Sequence, residues 1–288
     1  MSTPSSSPKQ TGPTGSDFDV KVLRQDGPGQ KPYWQWHRVG WEPNMNCISA
    51  LQKIAEKSTD ADGRKVAPVN WECNCLEEVC GACAMLVNGR VRQACTALVD
   101  RLLAEHPGHI ELRPMTKYPV LRDLVVDRSR IFEVLKKIKA WVPVDSYLHM
   151  GSGLRQSQET QELAYRYSQC MCCGCCMEAC PQYLKIEIPC RPDDTPESFD
   201  ARQRAAFRRQ FIGAFAIGQV DLFNLNPVGK MTATERMDAL IAEGGIQDCG
   251  NAQNCVKACP KEIPLTTAIG RMGRAATWHI LRRWFDRL

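Results

Sequence analysis

No stretch of this sequence is apolar enough to cross a bilayer. The longest run without a charged side chain is eleven residues, against the ~20 that a membrane helix needs. Strong charge of one sign is missing too: a net charge of +5 over 288 residues is too mild to argue for nucleic acid by itself. Histidines number five and form no pairing that suggests catalysis. The opening residues, MSTPSSSPKQTGPTG, contain no apolar core, twin arginine or cleavage pattern. The chain is therefore expected to stay in the cytosol, where thiols remain reduced. Residues 1–16 also have almost nothing to bury and should form a flexible tail. With 43% apolar and 24% charged residues, the rest is an ordinary globular chain, long enough for about two domains.

Cysteine is what the sequence has in excess. There are sixteen, and they are clustered: five in 73–95, six in 170–180 and three in 249–259, with only Cys47 and Cys190 outside. A disulfide framework belongs to small secreted chains. Six cysteines in eleven residues would also force strained bridges, given the separation a disulfide requires. Metal ligation is the better reading.

Phe18, Val20 and Val22 alternate as a strand, and the turn Asp26-Gly27-Pro28-Gly29 leads to a second strand near Trp34–Val39. Ile48, Leu51, Ile54 and Ala55 share one face of a short helix. Asn88-Gly89 joins 84–87 to 90–93, as a type I′ hairpin requires, and Ile110 and Leu112 supply another strand. Strands around one helix, with a cysteine loop between, suggest a β-grasp, ferredoxin-like domain over 17–138. From about 127 the period becomes helical. Ile131, Leu135 and Ile138 form an amphipathic helix, and Pro143 with Gly151-Ser152-Gly153 marks a linker. Segments 158–168, 200–217, 232–243 and 265–285 read as helices separated by cysteine loops. The expected architecture is α+β, with an all-α ferredoxin-like domain over 139–288.

Cys75-x4-Cys80-x2-Cys83-x11-Cys95 has the spacing of a plant-type 2Fe–2S loop, three thiolates on one tight turn and a fourth behind it. Gly81 lets backbone N–H groups approach the bridging sulfides, which tunes potential. A zinc knuckle would favour two paired C-x2-4-C units, which this run does not offer. Cys170-x2-Cys173-x2-Cys176-x3-Cys180-Pro181 repeats the bacterial ferredoxin run, whose fourth cysteine serves the other cluster. A second run, Cys249-x5-Cys255-x3-Cys259-Pro260, has Ala252 where a cysteine would stand. Crossing assigns Cys170, Cys173, Cys176 and Cys259 to a 4Fe–4S cluster. Cys180, Cys249 and Cys255 remain, most simply for 3Fe–4S, with a 4Fe–4S cluster of exchangeable fourth site as the alternative. Cys73, Cys172 and Cys175 stand at the wrong spacing. Cys47 and Cys190 read as small buried hydrophobes.

These motifs, in this order, resemble the iron–sulfur subunit of succinate dehydrogenase and fumarate reductase. Pro119–Ser129, PVLRDLVVDRS, resembles the family's inter-domain segment, and NCVKACPKEIPLTTAI at 254–269 its C-terminal signature; together the resemblance covers roughly 18–285. CLEEVCGAC at 75–83 and DCGNAQNC at 248–255 resemble the branch paired with a dihaem cytochrome b anchor and menaquinone. Leu184 and Lys185 stand where the ubiquinone branch has tryptophans, and Gly250 where it has histidine. Pro181 and Tyr183 are the candidate quinone-pocket residues; for Tyr183 a core aromatic is the alternative. The resemblance implies that a flavoprotein partner oxidises succinate at FAD. Electrons would then pass through 2Fe–2S, 4Fe–4S and 3Fe–4S centres to quinone at the membrane anchor, in the tricarboxylic acid cycle and respiratory chain. The chain itself would hold no catalytic residue for succinate and would lie peripherally on the cytoplasmic side of the cell membrane. The same wire could run in reverse, as a fumarate reductase, or serve a soluble oxidoreductase. A zinc-binding or redox-sensing module would leave both CP runs unexplained.

The last stretch, RMGRAATWHILRRWFDRL at 271–288, carries five arginines and one aspartate. Trp278, Leu281, Phe285 and Leu288 recur on one side of a helix. It reads either as a terminal helix packed on the chain's own core or as a docking helix toward the anchor and anionic headgroups.

Overall fold

The computed structural model describes residues 17–142, 154–189 and 191–286. The expected tail, the 151–153 linker, Cys190 and Leu288 lie outside them. Strand β1 (Phe18–Arg24) alternates buried and half-buried residues along its length, as the pleat of a one-sided sheet dictates. It pairs antiparallel with β2 (Tyr33–Val39). Helix α1 (Cys47–Lys57) starts where Asn46 accepts a hydrogen bond from the Ser49 N–H, and ends at Ser58 in a left-handed conformation. Strands β3 (Ala84–Val87) and β4 (Arg90–Gln93) form the expected hairpin. Asn88 and Gly89 have φ of 48° and 76°, the positive values a type I′ turn demands. After α2 (Val99–Glu105), strand β5 (His109–Arg113) runs parallel to β1 and antiparallel to β3, giving the order β2-β1-β5-β3-β4.

A two-stranded hairpin, β6 (Val120–Arg122) and β7 (Val125–Val126), follows, within the segment that resembles the family's inter-domain stretch. Its turn carries Asp123, which meets Arg24 at 2.7 Å with both side chains at most 1% exposed. Such a pair is tolerable only if every remaining donor and acceptor is occupied. Asp123 also accepts from the Gln25 and Asn70 N–H groups, and Arg24 donates to the Ala67 and Pro68 carbonyls. The hairpin is thereby locked to the edge of β1.

From α3 (Ser129–Lys137) onward the described residues form helices: α4 (Gln158–Ser168), α5 (Cys175–Glu178), α6 (Pro196–Arg209), α7 (Ala214–Leu225), α8 (Ala233–Ile241), α9 (Asn254–Ala258) and α10 (Leu265–Phe285). The 200–217 segment, read as one helix, is two. Gly213 at φ 87° breaks it, and a Cβ there would meet Met177 Cγ at 3.0 Å. The Ile212 N–H turns out to the Gly244 carbonyl instead.

Two apolar cores result. One lies between the sheet and α1, built on Val20, Val22, Leu51, Met85, Val87 and Leu112. The other gathers α7 and α10 around the cysteine loops. Ile131, Val134 and Ile138 belong to this second core, so by packing α3 joins the helical unit although it precedes the expected boundary at 138/139. Strand β3 is covered on both faces, with Met85 and Val87 in the first core and Ala84 in the second.

Candidate iron–sulfur sites

The loop from Cys75 to Cys83 is wound by three left-handed residues, Leu76 at φ 59°, Glu78 at 56° and Gly81 at 75°. For a leucine and a glutamate this conformation costs on the order of 1 kcal/mol each. The winding turns backbone donors inward: the N–H groups of Glu77, Val79 and Cys80 all reach Cys75 Sγ, at 3.3–3.4 Å. These hydrogen bonds hold the Cys75 thiol down at about 6, favouring the thiolate, the form that ligates metal. Ala82 N–H similarly donates to Cys80 Sγ. Cys95, in the loop after β4, comes beside Cys83, and the Ala94 N–H donates to the Cys83 carbonyl. The four sulfurs thus lie as two neighbouring pairs, Cys75 with Cys80 and Cys83 with Cys95. A donor set of two thiolate pairs suits two irons sharing one loop. Cys73, two residues before the first pair, is exposed to solvent.

The second and third sites are two cavities among the cysteine loops of the helical unit. Cys170, Cys173, Cys176 and Cys259 line the first, with Phe215, Ile263 and Leu265 beside them. Cys180, Cys249 and Cys255 line the second, with Ala252, Pro181 and Phe211. Each cavity takes cysteines from both runs. The Asn254 side chain, donating to the Ala179 carbonyl at 3.2 Å, ties the runs together. The four motif cysteines at one cavity, and three at the other with an alanine in its lining, suit clusters of four and three protein ligands. Cys172 also lines the first cavity, whereas Cys175 lines neither. Each is hydrogen-bonded to a neighbouring sulfur, Cys170 and Cys173 respectively, and these contacts with burial push their pKa values up, keeping them thiols. Cys47 is wholly buried in the first core and burial pushes it to about 12, a neutral packing residue.

The first loop abuts the second. A Cβ on Gly81 would stand 2.8 Å from Cys173 Cβ and 3.0 Å from the Met171 carbonyl, so glycine is required both for φ and for contact. Gln93, fully buried, sits between Cys83 Sγ at 3.3 Å and Cys175 Sγ at 3.5 Å. Arg128 donates to the Gly81 and Ala82 carbonyls. Glu178, at the end of the 170–180 run, accepts from Thr116 N–H, Thr116 Oγ1 and Lys117 N–H, and Lys117 Nζ donates to the Cys180 carbonyl. Gln93, Arg128, Glu178 and Lys117 escape a reading by motif because none is a ligand. Their signal is a buried or half-buried polar or charged side chain whose partner is distant in sequence.

Pro181 is exposed beside the three-cysteine cavity, whereas Tyr183 is fully enclosed. Its ring lies 3.8 Å from the Arg130 guanidinium and 6.1 Å from the Tyr118 ring, so it is a core aromatic and does not present itself to a ligand at the surface. Arg130 is held by the Leu184 and Phe211 carbonyls. The space a side chain at Gly250 would fill is taken by Gln182, whose amide nitrogen would stand 2.7 Å from a Cβ there.

The profile of 2Fe-2S iron-sulfur cluster binding domains matches residues 19–133. The succinate dehydrogenase iron-sulfur subunit of Bacillus subtilis (strain 168) is 44% identical over 264 residues, 92% of this chain and 94% of the relative. A fumarate reductase iron-sulfur subunit of Mycobacterium tuberculosis is 30% identical over 75% of this chain and 77% of its own. A chain of the Mycobacterium smegmatis Sdh1 complex in the apo form shares the fold, with a TM-score of 0.65 at 19% identity, over 91% of this chain and 96% of that one. Cysteine pairs wound on a ferredoxin loop and this length of matching sequence lead to one conclusion: the chain belongs to the family of iron–sulfur subunits of succinate dehydrogenase and fumarate reductase.

Proposed function

We propose that this chain is the electron-carrying subunit of a succinate dehydrogenase, linking the FAD of a flavoprotein subunit to menaquinone at a cytochrome b membrane anchor. The observation that carries the reading is the pair of cavities, one lined by Cys170, Cys173, Cys176 and Cys259 together with Cys172 and the other by Cys180, Cys249 and Cys255, each fed by both runs. Cys75, Cys80, Cys83 and Cys95 would hold 2Fe–2S. Cys170, Cys173, Cys176 and Cys259 would hold 4Fe–4S, and Cys180, Cys249 and Cys255 would hold 3Fe–4S. When bound, the clusters supply one-electron redox chemistry, and the protein supplies position and electrostatics. Gly81 brings the first loop against Cys173, Gln93 fills the gap between Cys83 and Cys175, and Arg128 fixes the loop's carbonyls. Cys173, Cys176 and Cys255 are buried, whereas Cys170, Cys180, Cys249 and Cys259 are half-buried. No side chain of this chain is assigned to succinate itself. Pro181, which lines the three-cysteine cavity, would stand at the exit to quinone.

The decisive experiment is electron paramagnetic resonance on the native complex, isolated in air and then reduced stepwise with succinate. Three distinct centres are expected, one visible before reduction as 3Fe–4S. A full iron complement without that oxidised signal would reject the three-ligand assignment. Running the complex with succinate and menaquinone, then with fumarate and a reduced quinol, tells the proposed direction from fumarate reduction.

A further inference from the structure

Helix α10 changes character half-way along. Its first turns are buried through Leu265, Ala268, Met272 and Ala276. Beyond Ala276 the helix stands off the body: Trp278 is 68% exposed, Trp284 57% and Phe285 64%, and Ile280 and Leu281 are also exposed. At 3.6 residues per turn, these five side chains fall within an arc of about 160°. His279 and Arg283 lie on the opposite side, and both reach Asp238 of α8, His279 at 2.7 Å. The tether thus points to the body and the apolar arc points away from it. A core role for this end is excluded among the described residues. Arg274 and Arg282 are exposed and have no acidic partner among the described residues.

The direction of the helix says which way this end faces. Leu265 lines the cavity of Cys170, Cys173, Cys176 and Cys259. Ile269, one turn on, lines the three-cysteine cavity. The axis therefore runs from the first site toward the second and continues for about 24 Å from Ile269 to Phe285 at 1.5 Å per residue. Its free end projects on the side where, under the function proposed above, electrons leave for the membrane.

We propose that the exposed end of α10 is a lipid-contacting element, placing Trp278, Leu281, Trp284 and Phe285 in the interfacial zone of an anionic bilayer while Arg274 and Arg282 meet the headgroups. Tryptophan and phenylalanine on one face, with Arg282 at its margin and Arg274 in line with it one turn before Trp278, is the composition of interfacial helices, and tryptophan concentrates at the headgroup level. The placement rests on the electron-carrier reading for its orientation. The lipid affinity rests on the helix alone.

The test is flotation of the cluster-loaded chain, purified anaerobically, with vesicles of phosphatidylglycerol and phosphatidylcholine or of phosphatidylcholine alone. Wild-type protein should float with the anionic vesicles at least about tenfold better than with neutral ones, since each basic residue near an anionic surface contributes attraction that salt screens. Trp284→Ser/Phe285→Ser should lose that binding with its iron content and cluster spectra intact, and Arg274→Gln/Arg282→Gln should lose the preference for anionic lipid. Equal flotation of the aromatic variant overturns the proposal. So does wild-type protein that ignores lipid and attaches only to membranes containing the rest of the complex, which would make the arc a protein interface. Cluster spectra recorded on the same samples judge the electron-carrier reading separately.

Discussion

At the scale of single residues, the difference between ligand and bystander lies in where backbone N–H groups point. Three donors converge on Cys75, while Cys73 lies two residues away in solvent. Cys75→Ser should abolish or alter the 2Fe–2S spectrum, and Cys73→Ser should leave absorption and resonance signals unchanged. The reverse result would shift the ligand register by one cysteine. Ala252 offers the complementary case. It lines the three-cysteine cavity, so Ala252→Cys should convert that centre toward 4Fe–4S and lower its potential in a redox titration. An unchanged signal would disprove the alignment of the two runs. The spacing of the cysteines was legible because cluster ligation imposes it directly. Gln93 and Glu178 were not, because their roles depend on partners more than sixty residues away that only folding brings near.

At the scale of elements, periodicity identified what local physics controls. Strand alternation, the Asn88-Gly89 turn and the 158–168 and 265–285 helices emerge as read. The break at Gly213 and the β6–β7 hairpin do not, because tertiary contacts decide them: Met177 against Gly213, and the Arg24–Asp123 pair. Strand β2 holds a further consequence. His37 is 1% exposed, and its Nδ1 lies 2.9 Å from the Thr59 carbonyl. Burial lowers its pKa, with the Thr59 contact opposing only in part. A histidine kept neutral by the fold makes the unfolded chain the better proton acceptor, so stability is lost as pH falls below about 6.5. Melting curves should show the wild type losing stability between pH 7.5 and 5.5 faster than His37→Gln. Parallel pH profiles would show that the ring does not drive the loss.

At the scale of the molecule, the two cores divide the chain differently from its composition. The four cysteines of the first site, its sheet and α1 are local to residues 18–113, but α3 packs with the helical unit. A fragment of residues 17–126 should keep the 2Fe–2S spectrum. Extending it to 135 adds Ile131 and Val134 without the core that covers them, and the longer fragment should self-associate in size-exclusion chromatography. A monodisperse longer fragment would place α3 with the first unit.

The interleaving of the two cysteine runs also bears on how the helical half stays folded. Both inner cavities draw sulfurs from 170–180 and from 249–259, and everything between, from α6 to α8, is an excursion that begins and ends at the same place. A cluster spanning either cavity is then a covalent cross-link, closing a ring of about 80 residues. By the chain-entropy argument such a closure removes about 4 kcal/mol of freedom from the unfolded ensemble, a large share of a domain's net stability. On the function proposed above, a cluster bound there would also be the clasp that holds the excursion shut.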